Sequence, residues 1–296
     1  MLLQTRLRLP SCVAQRGAEG SGIRLAGLVM LLWALVPTDA DGGIRLFPPT
    51  TPYSPYLADP TRPTFSYQFS PLEHSSTIDV SKRMTHIKLG MDSSLAEARL
   101  LGQPWQLGLL GGFRGGFDNG RSLDNLGWDG IYGLHVVTGT RRGLAWRFGT
   151  KHISSHVGDE YAERTGRERI DYTREEVRSG LAWGSGAALA AYGEVGYACK
   201  MRNEDLQEPW RAQVGCQYIS NAGDRDETLG WYAAIDLSCY EEDDWDANTC
   251  MQLGLLRRSG ARRWRLAVEM YNGRRQIGEF FQDRERYVGV GVWCDP

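Results

Sequence analysis

Two of the chain's five histidines stand four residues apart, with serines between them, in KHISSHVGDEY from Lys151 to Tyr161. At His152 and Ser154 these types pair a general base with a nucleophile, because a neutral imidazole can take the proton that frees a serine oxygen to attack an ester. Such a base works best with a third group, usually a carboxylate, that orients its ring. The stretch also permits a second chemistry, since His152, His156, Asp159 and Glu160 are metal-ligating types. Which chemistry is available depends on which side chains share a face, and so on the elements that carry them.

Those elements read as strands. In WQLGLLGGFRGGF, Trp105, Leu107, Leu109 and Phe113 alternate with Gln106, Gly108, Gly112 and Arg114. WYAAIDLSCY and RWRLAVEMY repeat the rhythm, with Trp231, Ala233, Ile235 and Leu237, and Trp264, Leu266, Val268 and Met270, on the apolar faces. Twelve strands are expected, near 63–70, 85–100, 105–117, 129–138, 143–156, 170–183, 187–199, 210–219, 230–240, 248–257, 263–272 and 285–294. In the second of these, SSLAEARLL equally suits the start of a short helix.

Connections alternate too. Short turns such as LGQP, GTRRG, GSG and SGA follow even-numbered strands, whereas longer polar stretches such as DNGRSLDNLGW, VGDEYAERTGRER and KMRNEDLQEP follow odd-numbered ones. An even number of antiparallel strands with short turns at one end and long loops at the other predicts an all-β transmembrane barrel of the outer-membrane type, with both termini periplasmic. A soluble sandwich would bury the apolar face instead. Three features favour the membrane barrel: one face is charged on nearly every strand, tryptophans recur near strand ends (Trp105, Trp146, Trp183, Trp210, Trp231, Trp264, Trp293), and the last strand, YVGVGVWCDP, has an apolar face.

The N-terminus fits export to a Gram-negative outer membrane. Arg6, Arg8, Arg16 and Arg24 precede the apolar run Leu25–Val36, and Thr38-Asp39-Ala40 supplies a cleavage site, so residues 1–40 read as a signal peptide, 41–62 as a periplasmic segment and 63–296 as the barrel. A formal net charge of -2 excludes a basic footprint and argues against nucleic acid as a partner. Five cysteines follow the leader without C-x-x-C spacing; Cys199 and Cys216 share faces that would let them meet across a hairpin, whereas Cys239 and Cys250 fall on opposite sides.

Parity orients the opening stretch. Along LAWRFGTKHISSH, Leu144, Trp146, Phe148, Thr150, His152, Ser154 and His156 share the apolar, lipid-side face, while Arg147, Lys151 and Ser155 point to the lumen. Cα atoms two apart on a strand lie roughly 6 to 7 Å apart, within reach for His152 and Ser154, but His152 and His156 span roughly 13 Å, so a shared metal needs a curled strand end. On the next strand, Leu181 and Trp183 put Asp171, Thr173 and Glu175 outward. Pairing of Leu144 near Leu181 or Trp183 brings His152 close to 173 or 175, which makes Asp171 the leading orienter and Glu175 the second.

This outward His-x-Ser, with a polar partner on the neighbouring strand, resembles the active sites of two outer-membrane acyl hydrolases, the twelve-stranded phospholipase A and the eight-stranded lipid A deacylase. In both, the histidine is the base and the serine the nucleophile, with asparagine as third member in the first and glutamate in the second. The resemblance therefore implies His152 as base, Ser154 as nucleophile, and phospholipid or lipopolysaccharide as substrate in the bilayer. It also makes calcium and a dimer conceivable, although no cofactor follows from the residues themselves. The phospholipase has Asn-Gly after its serine, whereas Ser155 and His156 stand here. Separately, SPYLADPTRPTFS, HISSHVGDEY and IDYTREE are similar to a bacterial family of exported proteins known only as a domain of unknown function. The rival to catalysis is a pore or a structural, lipopolysaccharide-contacting barrel, whose lumen would carry Arg114, Arg147, Lys151, Arg174, Glu176, Arg178, Arg211, Asp236, Arg265 and Glu269.

Overall fold

A computed structural model describes residues 43–295, except 54, 101, 141–142, 223–227 and 261; the expected signal peptide lies outside the described residues. The unit Ile44–Pro296 is a closed antiparallel meander. Its strands are β1 (Arg45–Leu46), β2 (Phe65–Ser75), β3 (Arg83–Leu100), β4 (Gln103–Asp118), β5 (Asp124–Gly139), β6 (Leu144–Val157), β7 (Thr173–Trp183), β8 (Leu189–Met201), β9 (Trp210–Ile219), β10 (Leu229–Tyr240), β11 (Asn248–Ser259), β12 (Arg262–Arg274) and β13 (Arg284–Asp295). Each of β2 to β13 pairs with its sequence neighbours, and β13 pairs back onto β2, which closes twelve strands into a barrel without a free edge. The short β1 pairs with the part of β3 that projects beyond β2.

All twelve expected barrel strands are present, and the ambiguous SSLAEARLL is extended, with a register shift between Ser94 and Ala96. Long loops gather at one end of the barrel and short turns at the other, where the chain also enters and leaves. The first of the two loops that matter below contains helix α1 (Asp159–Thr165), and the other joins β12 to β13.

Side-chain alternation divides the barrel wall cleanly. The outer face exposes Leu109, Phe148, Leu181, Val195, Val214, Leu253, Leu266 and Val290, while the charged set turns inward and is buried. Near the short-turn end an outward belt of Tyr67, Trp183, Tyr218, Trp231 and Trp264 is exposed, and Tyr132, Tyr197 and Trp210 expose a second belt nearer the long loops. Trp293 departs from expectation. It is fully buried in the lumen, with the Arg265 guanidinium 5.4 Å from its ring, because Val288, Val290 and Val292 claim the outward parity of β13.

The lumen is filled rather than open. Part of the stretch before β2, read from sequence as a periplasmic segment, runs inside the barrel. Tyr56 stacks on Tyr192 of β8 at 3.6 Å, Arg147 lies over the rings of Tyr53 and Tyr56, and Leu57 is held at both its amide and carbonyl, by Gln217 and Arg265. Gly180 on β7 makes room for the two tyrosines, since a Cβ there would sit 2.5 Å from the Tyr53 hydroxyl. Lys151 donates to the Thr61 hydroxyl at 3.0 Å, and Thr61 in turn donates from its amide to Asp59 at 2.7 Å. Burial alone would raise the Asp59 carboxyl pKa, but the Lys151 charge and the Thr61 hydrogen bonds outweigh it and hold the group below the usual carboxylate range. Beneath this plug, Arg211 bridges Glu176 (2.9 Å) and Glu194 (2.5 Å), so these three inward charges are paired.

The cysteines stay apart. Ala191, not Cys199, stands opposite Cys216, because Tyr197 already pairs with Trp210 at the start of β9 and Cys199 lies beyond it; both thiols are free. Cys239 and Cys250 occupy opposite faces, as parity requires.

Candidate active site

Strand β6 carries the site, and its neighbours complete it. Cross-strand register places Tyr132, His152 and Glu175 in one outward row, and Gly130, Ser154 and Thr173 in the next; Trp128 faces His156 in the row nearest the long loops. Leu144 pairs with Trp183, one of the two registers anticipated, and this sets Glu175 opposite His152. The carboxylate Oε1 of Glu175 lies 2.8 Å from His152 Nδ1. Tyr132 stacks on the other side of the imidazole at 4.3 Å, so the ring is fixed both in its plane and across it.

Asp171, the leading orienter from sequence, does not reach the histidine. It lies before β7 with φ 56°, and its exposed carboxylate faces Arg202 at 3.8 Å. The ladder ends at Thr173, so the alternation that would carry Asp171 toward Ser154 has already stopped.

Ser154 and His156 form a second contact, with Oγ 3.2 Å from Nε2. Trp128 stacks on His156 at 4.2 Å. The serine thus sits between two imidazoles, hydrogen-bonded to His156 and two positions from the carboxylate-bound His152. Ser155, in contrast, belongs to the lumen: its Oγ accepts the Glu279 amide at 2.8 Å and helps seat the β12–β13 loop. That loop is tied further by Glu279, which accepts the amides of Ile170 and Tyr172, and by Asp129, which accepts the Gly278 amide. The long-loop end behind β6 is therefore anchored from inside while the catalytic types face outward.

Among the described residues no three His, Cys, Asp or Glu side chains converge to hold a metal ion. His152 and His156 are committed to different partners, and Asp159 pairs with Arg169 at 2.8 Å in the loop. The metal arrangement read from the sequence is not assembled.

The family described as protein of unknown function (DUF1207) matches residues 43–294. The chain belongs to that family. Its barrel is similar to outer membrane phospholipase A from Escherichia coli, with a TM-score of 0.55 at 12% identity over 78% of this chain and 92% of that one. It is also similar to the Salmonella typhi outer membrane phospholipase, solved as a dimer with bound calcium, with a TM-score of 0.54 at 13% identity over 81% and 93%. At such identity the likeness establishes the twelve-stranded fold. No curated protein sequence matches the chain.

Sequence reasoning missed two members of the cluster and the role of a third. Tyr132 and Trp128 stack on the two histidines, and His156 rather than His152 holds the serine hydroxyl. The aromatic partners had a legible signal, because Trp128, Gly130 and Tyr132 share one parity on the strand before β6. Gly130 carries no side chain opposite Ser154, which leaves the hydroxyl approachable from the outer surface.

Proposed function

We propose that this barrel sits in the outer membrane and hydrolyses acyl esters of bilayer lipids at its outward face, with Ser154 as nucleophile, His152 as base and Glu175 as the group that orients and stabilises the imidazole. The observation that carries the reading is the 2.8 Å contact between Glu175 and His152 Nδ1, two residues from an approachable serine on an apolar outer wall. A soluble protein would not expose so continuous an apolar face between aromatic belts. An ester chain lying against that face would present its carbonyl at the level of Ser154 without leaving the membrane.

In the reaction, Oγ of Ser154 attacks the ester carbonyl carbon as His152 Nε2 removes its proton, and the imidazolium then protonates the departing alcohol oxygen. Water, deprotonated by the same nitrogen, releases the fatty acid and restores the serine. The hydroxyl rests on His156 and must turn toward His152 for this step; the carboxylate selects His152, since His156 has no acidic partner among its described contacts.

Purified protein in detergent, given phospholipid, should release fatty acid, and Ser154→Ala and His152→Ala should each reduce release to background. Absence of hydrolysis by the wild type, or undiminished release by both variants, would defeat the reading and leave a structural or lipopolysaccharide-contacting barrel. Open conductance in planar bilayers would instead favour a pore, against the filled lumen.

A further inference from the structure

The short-turn mouth of the barrel holds a cavity of about 500 Å³ on the lumen side, far from Ser154. Its lining includes four arginines, Arg62, Arg258, Arg262 and Arg263, and two carboxylates, Asp92 and Asp295. Both carboxylates are already engaged. Asp295 accepts Arg62 and Arg265 at 2.9 Å each, and Asp92 faces His135 and Arg147 at 3.4 Å each.

Among the described residues, Arg258 and Arg263 form no direct ion pair, and Asp295, the acid nearest in charge to Arg263, is already held by Arg62 and Arg265. Arg258 and Arg263 stand directly opposite one another across the β11–β12 hairpin, both on the lumen face. Like charges so placed repel. Among the described residues, Arg258 Nε and Arg263 Nη1 are moreover buried without a hydrogen-bond partner, and a buried unsatisfied cationic donor is costly. Two paired guanidiniums with idle N–H groups lining a cavity of this size match the fork geometry of a phosphate or carboxylate. Pro52, Tyr53 and Pro55 of the plug also line the cavity and add an apolar surface.

From this arrangement we infer that the short-turn mouth is a binding site for a small soluble organic anion bearing a phosphate or carboxylate, clamped between Arg258 and Arg263. The ligand is soluble because the cavity opens at the barrel mouth and the strands wall it from the surrounding lipid. The site is independent of the hydrolytic reading, and either can fail without the other.

Calorimetric titration of the full chain in zwitterionic detergent with inorganic phosphate, at ionic strength held constant with chloride, should show one saturable site. Arg258→Gln and Arg263→Gln should each weaken binding by about tenfold or more, as expected for loss of a charge-assisted hydrogen bond. Arg263→Lys, which keeps the charge but not the fork, should fall between them and the wild type. Arg121→Gln, at the opposite end, should bind as the wild type does. No saturable binding by the wild type, or unchanged affinity in both glutamine variants shown to be folded by heat-modifiable gel mobility, overturns the inference. A second comparison sets the source. Phosphate affinity should be the same in phosphatidylcholine bilayers with and without phosphatidylglycerol; competition by the anionic lipid would overturn the assignment to a soluble ligand.

Discussion

Oε1 of Glu175 lies 2.8 Å from Nδ1 of His152, across the β6–β7 ladder and on the outer face of the barrel. The pair is half-exposed on the carboxylate side and mostly covered on the histidine side, with side-chain exposures of 39% and 14%. A partly exposed contact of this kind contributes about 1 kcal/mol or less to stability, so its value lies in fixing the ring rather than in holding the barrel together.

Glu175→Gln should therefore leave folding intact but lower kcat for ester hydrolysis by about 10²- to 10⁴-fold, the range of a disabled general base, with little change in KM. His156→Ala should cost far less, because the oriented imidazole is the other one. Steady-state kinetics on the two variants decide between the histidines: a larger loss in His156→Ala would move the base to the residue that holds the hydroxyl in this structure.

The plug leads to a prediction about flow. Tyr56, Leu57 and Thr61 of the plug make contacts with β8, β9, β12 and β6 inside the lumen, so the wild type should show no steady single-channel current in planar bilayers. Deleting residues 51–62 removes Tyr53, Tyr56 and Thr61 from the lumen and should produce discrete channels. A conducting wild type would contradict the filled lumen directly.

Asp59 makes plug seating depend on pH. Its carboxyl is held below the usual range in the folded state, against about 3.9 when unfolded, so its contribution is fully present above the unfolded value and is lost as pH falls through the folded one. Asp59→Asn should be less stable than the wild type at pH 7, and the gap in urea midpoint should close as the pH is lowered below about 4. A gap that stays constant with pH would mean that the carboxylate charge is not what Lys151 holds.

Much of this architecture was legible in the sequence because a barrel wall is a long period-two pattern. Leu144, Trp146 and Phe148 fixed the outer parity of β6, and that parity alone put His152 and Ser154 outside and Lys151 and Ser155 inside. The third residue was resolved only by register: parity allowed both Asp171 and Glu175, and the ladder's end at Thr173 removed the first. The Ser154–His156 hydrogen bond was illegible because same-face neighbours on a strand meet through rotamers, which alternation does not encode. The sequence of residues 51–62 has no period, so nothing in its pattern announced that Tyr53, Tyr56, Leu57 and Thr61 enter the lumen. Trp293 was misplaced for a different reason. Its closeness to the chain end suggested a girdle, whereas its parity with Tyr287 already placed it inside.

Two glycines of β5 separate access to the site from stability of the wall. At Gly130, opposite Ser154, an added Cβ would meet only Trp128 at 3.7 Å and the Ser154 carbonyl oxygen at 3.9 Å, ordinary contacts, so Gly130→Ala should fold and hydrolyse nearly as the wild type does. Gly130→Leu should also fold, since the side chain projects onto the apolar outer face, but it should cover the serine and raise KM for long-chain esters by about tenfold, equivalent to roughly 1.4 kcal/mol of lost binding. At Gly133 on the lumen face, by contrast, a Cβ would lie 2.1 Å from the Thr150 carbonyl oxygen, and backbone cannot yield as a side chain can. Gly133→Ala should therefore destabilise the barrel by about 1 to 3 kcal/mol, as overpacking does, and lower folded yield without altering KM in the fraction that folds. Hydrolysis assays paired with urea titrations of the three variants test both halves; an unchanged KM in Gly130→Leu would mean that substrate does not approach Ser154 across β5.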